Sequence, residues 1–303
     1  MHSNQNTLKK SYYFEGKGLH TGTYAHIKLM PAGPDTGIRF RRIDLKGKPF
    51  IDAVAENVSN TARSTTISQN EAVAVTVEHI LSALTGLGID NAVIEMDNIE
   101  IPILDGSAKP YIDAIKKDGT KDQGVERKYL TIKDTLEIHD NRTGSWIKVE
   151  PADVPSAHIT VDFNSEILGV QEAEWNPGVN YAREIGVCRT FVFFHDIEYL
   201  FRNNLIKGGD VENAIVIVEH PVSDEQLQSI SRLFEIPNLK ITAAGYLNNL
   251  RLHFPDECGR HKLLDLIGDF RLAGGYVNAR ITAFKPGHSI NTRTAKALRA
   301  LLV

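Results

Sequence analysis

The chain has 303 residues, enough for two domains of ordinary size, and its 42% hydrophobic and 24% charged residues exclude a disordered or fibrous protein. A formal net charge of −4 lacks the concentrated Lys and Arg excess that a nucleic-acid partner requires. Two cysteines, Cys188 and Cys258, make no disulfide framework, Met1–Asn6 lacks the apolar core of a signal peptide, and no apolar run reaches the ~18 residues needed to span a bilayer; a cytoplasmic protein without a transmembrane segment is expected.

In chain order, Ala25–Leu29 and Gly37–Phe40 alternate apolar and polar residues and predict strands. Val77–Gly88 places Val77, Ile80, Leu81, Leu84 and Leu87 at a helical period, opens on Glu78-His79, and leads through glycine into a strand-like run, Asn91–Glu95. Ala108–Ile115 is helix-like, and the charged run Lys116–Lys128, almost without apolar content, predicts an exposed linker. Beyond it, Tyr129–Ile132, Leu136–Ile138, Trp146–Val149 and His158–Phe163 predict strands. A second helix follows at Gly259–Asp269, and glycine again leads to a strand-like run, Asn278–Thr282. The two helix-then-strand units suit either an internal repeat or a coincidence of ordinary units, and each half mixes strands with few helices, an α+β pattern.

The second helix carries the chemistry. At 100° per residue His261, Asp265, Gly268 and Asp269 form one polar stripe, opposite Leu263, Leu264, Ile267 and Phe270. An imidazole and a carboxylate at i and i+4 can grip one cation, although the same stripe describes an ordinary solvated helix face. Glu78 leaves its helix about 100° from His79 and can reach a metal-bound water rather than the metal. A Glu in the first turn also simply complements the helix dipole. His288 follows a Pro286-Gly287 turn at a strand end, a place where rigid scaffolds hold functional side chains. Cys258, three residues before His261 and without a CxxC partner, reads as a small buried hydrophobe.

Seven ordered blocks carry a resemblance: Gly16–Gly22 (GKGLHTG), Thr76–His79, Gly88–Ala92, Pro102–Ser107, Arg189–Phe191, Arg260–Asp269 and Gly287-His288. Together they resemble the signature blocks of the UDP-3-O-acyl-N-acetylglucosamine deacetylases, zinc amidases of lipid A biosynthesis, over nearly the whole chain. The resemblance implies two domains of similar topology, 1–126 and 127–303, with helices packed between two mainly antiparallel sheets and the active site in the cleft between them. It implies His79, His261 and Asp265 as zinc ligands, a set Fe(II) could also occupy, and leaves a coordination position for water or substrate. Glu78 is then the base, His288 the group that stabilises the tetrahedral intermediate and protonates the amine, Asp269 its partner, and Thr190 a donor to the oxyanion. Division of acid and base roles between Glu78 and His288 stays open.

For the substrate, the resemblance implies Lys262 near the diphosphate, Phe163 on uracil, Leu19 in contact with substrate, and an insert holding Phe191, Phe193, Ile197 and Gly209 as an acyl passage. Each has an ordinary alternative, surface lysine or core aromatic. The chain departs from many relatives at Asn60–Thr66, where they carry a cysteine-containing segment. The implied protein is a monomer acting on a small acylated UDP-amino sugar, and in some members a fatty-acyl dehydratase domain is fused, of which this sequence would contain none. A non-catalytic binding relative would have been favoured by loss of a ligand or of Glu78. A phosphohydrolase would favour a carboxylate-rich two-metal site over this His-rich one.

Overall fold

A computed structural model describes residues 4–197, 213–233 and 236–301. The first half begins with β1 (Asn4–Leu8), β2 (Tyr12–Lys17), β3 (Tyr24–Pro31), β4 (Ile38–Arg42) and β5 (Phe50–Asp52), followed by a small antiparallel sheet of β6 (Val58–Asn60), β7 (Thr66–Gln69) and β8 (Ala72–Ala74). Helix α1 (Glu78–Gly86) then leads to β9 (Ala92–Met96), and α2 (Lys109–Lys116) to β10 (Thr120–Glu126). Strand alternation sends Ala25, Ile27 and Leu29 of β3, and Ala92, Ile94 and Met96 of β9, to one buried face. β9 runs between the β2–β3 and β4–β5 hairpins, antiparallel to β3 and parallel to β4, giving the order β2-β3-β9-β4-β5.

The second half repeats this wiring. β11 (Tyr129–Thr131), β12 (Leu136–Asp140), β13 (Ser145–Pro151), β14 (Ser156–Asp162) and β15 (Val170–Trp175) precede a helical turn α3 (Tyr181–Glu184), the ribbon strands β16 (Phe191–Phe193) and β17 (Ile215–Ile217), and α4 (Asp224–Leu233). Helix α5 (Glu257–Phe270) then leads to β18 (Tyr276–Phe284), and the last helix is α6 (His288–Ala300). The sheet order is β12-β13-β18-β14-β15, with β18 antiparallel to β13, parallel to β14, and β11 added beside it. Hairpin, hairpin, helix, inserted middle strand is therefore common to both halves, which settles the faint helix–strand repeat as a duplication of topology.

One continuous core joins both sheets to the helices: Ile27, Leu29, Phe40 and Ile94 from the first sheet, Ile147, Val149 and Ile159 from the second, with Ile80, Leu81, Leu84, Leu263, Leu264 and Leu266 from α1 and α5. The two helices touch directly. Ser82 Oγ donates to the Leu264 carbonyl at 2.7 Å, and a Cβ placed on Gly268 would lie 2.9 Å from the carbonyl carbon of Glu78 and nearer still to its oxygen. Only a residue without a side chain lets the backbones approach this closely.

The exposed linker expected at Lys116–Lys128 is corrected: its centre is strand β10, antiparallel to β1, with Asn6 opposite Asp122 and Leu8 opposite Thr120. Its partner is the first strand of the chain, and side-chain amides brace the pair. Asn91 Nδ2 donates to Gln5 Oε1 and Gln123 Oε1, both at 2.8 Å. Pairing to the first half ends at Glu126 and pairing to the second begins at Tyr129. Among the described residues no helix is long and apolar enough to cross a membrane.

Candidate metal centre

Two helix starts and one helix face converge. Glu78 and His79 open α1, His288 opens α6, and the stripe His261, Asp265, Asp269 runs along α5. The stripe is not a solvated face: His261 is 1%, Asp265 2% and Asp269 0% exposed, and α5 is enclosed on both sides. The Nε2 atoms of His261 and His79 lie 3.5 Å and 3.7 Å from Asp265 Oδ1, and the two rings meet edge to face at 5.0 Å. Bonds of about 2.1 Å in a tetrahedral shell set donors about 3.4 Å apart, so the set fits a zinc-sized ion.

The hydrogen bonds supply the stronger test. Asp265 Oδ1 is buried with no hydrogen-bond partner, whereas Oδ2 accepts from Lys262 Nζ at 2.9 Å. An orphaned carboxylate oxygen facing two imidazole nitrogens is costly unless a cation completes it. His261 Nδ1 is engaged by the Cys188 carbonyl at 3.0 Å, which leaves Nε2 as the ligand atom. Cys188 is held in turn by its neighbour Arg189, whose Nε donates to buried Glu257 at 2.9 Å. Burial above all, and His261 beside it, push the His79 imidazolium down to about 3, so the ring is neutral and its lone pair available. Burial likewise lowers His261. Burial opposes the Asp265 carboxylate, but Lys262 and the three histidines outweigh it and hold it ionised. The three donors are therefore in their ligating forms.

On the open side, Glu78 Oε2 accepts from the Thr65 backbone N–H at 3.1 Å, and Oε1 lies 3.9 Å from His288 Nε2. Burial chiefly, with Asp265 and Asp269 adding repulsion, raises Glu78 to about 8 despite the pull of His288. For His288, burial disfavours the charge, yet the Asp269 carboxylate on Nδ1 at 2.9 Å, with Asp265 and Glu78 beyond it, lifts the ring to about 9. Asp269 is itself saturated, accepting from Thr65 Oγ1 at 2.6 Å and from Asn291 Nδ2 at 2.9 Å. A poised carboxylate and an oriented imidazolium thus face a cation-ready donor set, a constellation for metal-assisted hydrolysis.

Three participants carried no role at the sequence level. Thr65 and Asn291 fix the carboxylates from loop and helix positions without any periodic signal. His20 lies in the turn that Glu100 clamps, accepting from the backbone N–H groups of His20 and Thr21 at 2.9 and 2.7 Å. Burial pushes the His20 imidazolium down, aided by Arg63 and His288 and opposed by Glu100, and its Nε2 has no partner. Leu19 is half-buried in the same turn.

The substrate-side residues divide. Phe191 sits 6.4 Å ring to ring from His261, packs edge-on against Phe163 at 5.3 Å, and lies under Lys262 Nζ at 5.3 Å. Lys262 therefore reaches both Asp265 and this aromatic face. Alternation along β16 puts Phe191 and Phe193 in one cluster with Ile217, Tyr246 and Cys258, while Val192 joins a separate small core that holds Phe194, Ile197 and Val216. Ile197 is thus inside that satellite core, away from Phe191. Thr190 precedes β16, anchored by its N–H to the Gly106 carbonyl at 2.8 Å. Cys258 is 2% exposed, with its thiol pushed up by burial to about 12, inert as expected. Gly209 lies outside the described residues.

Comparison with known proteins matches this chain, at residues 5–231 and 238–300, to the family model described as UDP-3-O-acyl N-acetylglycosamine deacetylase. It is 41% identical, over 97% of its length, to a protein of Porphyromonas gingivalis named "Bifunctional enzyme LpxC/FabZ", and 43% identical, also over 97%, to one of the same name from Bacteroides thetaiotaomicron. The chain spans 64% of the length of each of these two relatives. A protein of Thioalkalivibrio sulfidiphilus named "UDP-3-O-acyl-N-acetylglucosamine deacetylase" is 37% identical over 98% of the chain, which covers 90% of that relative. With the two-half topology and the His79, His261 and Asp265 constellation already described, these matches establish that the chain belongs to the UDP-3-O-acyl N-acetylglycosamine deacetylase family.

Proposed function

We propose that the chain hydrolyses the 2-acetamido group of UDP-3-O-(3-hydroxyacyl)-N-acetylglucosamine to acetate and the free amine, the committed step of lipid A biosynthesis, in the cytoplasm and as a monomer. The observation that carries this reading is the orphaned Oδ1 of buried Asp265 shared between two imidazole nitrogens, with Glu78 and His288 on its open side. A zinc ion held by His79, His261 and Asp265 would polarise the amide carbonyl and acidify a water molecule; Fe(II) suits the same donors.

Glu78 accepts a proton from the attacking water, its Oε2 fixed by the Thr65 N–H so that Oε1 presents the lone pair. The His288 imidazolium, held by Asp269, donates from Nε2 to the oxygen on which negative charge develops, and Thr190 adds a second donor. The leaving nitrogen takes its proton from His288 or from protonated Glu78. Lys262 serves the diphosphate, Phe163 the uracil ring, Leu19 a contact with the substrate, and Phe191, Phe193 and Gly209 the acyl chain. The halves meet between residues 126 and 127, with the site in the cleft they form.

The test joins metal analysis of the purified chain to an acetate-release assay on the acylated UDP-amino sugar. One tightly held ion per chain and metal-dependent acetate release are expected. A fully zinc- or iron-loaded chain that releases no acetate would overturn the reading.

A further inference from the structure

The ribbon of β16 and β17 is parallel, pairing Phe191 with Ile215 and Phe193 with Ile217, so both strands leave it at the same end. Two residues past each strand stand His195 and Glu219, with His220 next. We propose that His195, Glu219 and His220 form a second metal site that takes a borderline divalent transition ion such as Zn(II), Co(II) or Ni(II).

One donor atom from each of the three residues lies within 4.8 Å of the other two. A shell of about 2.1 Å bonds needs about 3.4 Å between donors, so closure asks for roughly 1.4 Å of movement at most. His195 and His220 are exposed and Glu219 half-buried, so their rotamers can supply it. No hydrogen bond or ion pair among the described residues joins the three to one another, so binding an ion would break none between them. Partial order already exists: the His195 ring stacks on Phe193 at 5.5 Å and 16°, and its centroid is 6.2 Å from that of His220. Two imidazoles with one carboxylate select zinc-like ions over calcium or magnesium, which want an oxygen shell. Water would complete the coordination, as the exposure of the site allows.

The site lies at the outer end of an aromatic row that runs His195, Phe193, Phe191, His261, with successive centroids 5.5, 6.4 and 6.4 Å apart. An ion there would clamp the two strand ends and fix the Phe193 ring from outside. Given the acyl passage of the proposed function, occupancy would then raise discrimination for the acylated substrate; the metal site itself does not depend on that reading.

Equilibrium dialysis against micromolar zinc, followed by metal analysis, tests it. The unmodified chain should hold one equivalent more than His195→Ala/His220→Ala, and Glu219→Gln, which preserves shape, should weaken the outer ion at least about tenfold. Zinc should also shift the His195 and His220 ring resonances in the NMR spectrum of Asp265→Ala, whose inner site is impaired. Equal stoichiometry in the unmodified chain and the double variant, or no response of these two rings, would overturn the proposal. Loss of acetate release bears on the inner site alone, so the two readings fail separately.

Discussion

Replacing Gly268 by alanine should damage the metal centre although residue 268 touches no ligand atom. The added Cβ would sit 2.9 Å from the Glu78 carbonyl carbon, against an optimum of about 3.5–4.0 Å between carbon atoms, so α1 and α5 must separate by about 1 Å. Overpacking of this kind costs about 1–3 kcal/mol of stability. The same separation acts on the donors: His79 Nε2 lies on α1 and Asp265 Oδ1 on α5, now 3.7 Å apart. Moved ~1 Å further, they exceed the ~4.2 Å that two metal–ligand bonds of about 2.1 Å can span. Zinc affinity, measured by competition with a chromophoric chelator, should therefore fall at least about 100-fold, alongside a lower midpoint of thermal unfolding in the metal-free chain. Gly268→Ala with unaltered zinc affinity and unaltered stability would refute the claim that helix contact sets the ligand geometry.

Glu78→Ala should retain about one metal per chain and lose turnover on the order of 100-fold or more, whereas Asp265→Ala should lose metal content; the paired metal and rate measurements separate base from ligand. In the pH–rate profile, activity should rise as Glu78 loses its proton, below about 8 once a cation is beside it, and fall as His288 loses its own, below about 9 for the same reason. His288→Ala should abolish the basic limb while sparing zinc binding, and an unchanged profile would remove His288 from the chemistry. Each buried methylene of the acyl chain contributes about 0.8 kcal/mol, close to fourfold in kcat/KM, so UDP-N-acetylglucosamine without its 3-O-acyl group should be a far poorer substrate, and Phe193→Asp should erode that preference at constant metal content. Equal efficiency on both substrates in the unmodified chain would return Phe193 to an ordinary core role.

Sequence periodicity was informative wherever one segment buries its own apolar face. The α1 and α5 patterns and the alternating strands β3, β13 and β14 are of this kind, because burial is decided by the local repeat. Strand β10 escaped because its pairing is satisfied by β1 and by the amides of Gln5, Asn91 and Gln123, which leave no hydrophobic trace. The α5 stripe was legible as a set of donors but not as a buried one, since α1 and α6, which cover it, lie elsewhere in the chain. Gly268 read as a member of a polar stripe, and its contact with Glu78 needs both helices to be placed first. Thr65 and Asn291 were invisible for the same reason: each hydrogen bonds to a carboxylate far away in sequence.

The insertion of β18 between two finished hairpins also dictates when the protein can fold. During synthesis, β12–β13 and β14–β15 are complete by Trp175, yet no strand joins them until Phe284 has been made. At 5–20 residues per second that interval lasts roughly 5–20 s, during which two unpaired strand edges are exposed. α5 must cross the sheet before β18 can dock, so completion of the sheet and delivery of His261 and Asp265 are one event. A nascent or truncated chain ending before Tyr276 would have no central strand in its second sheet, leaving it a target for chaperones and proteases instead of a weakened enzyme.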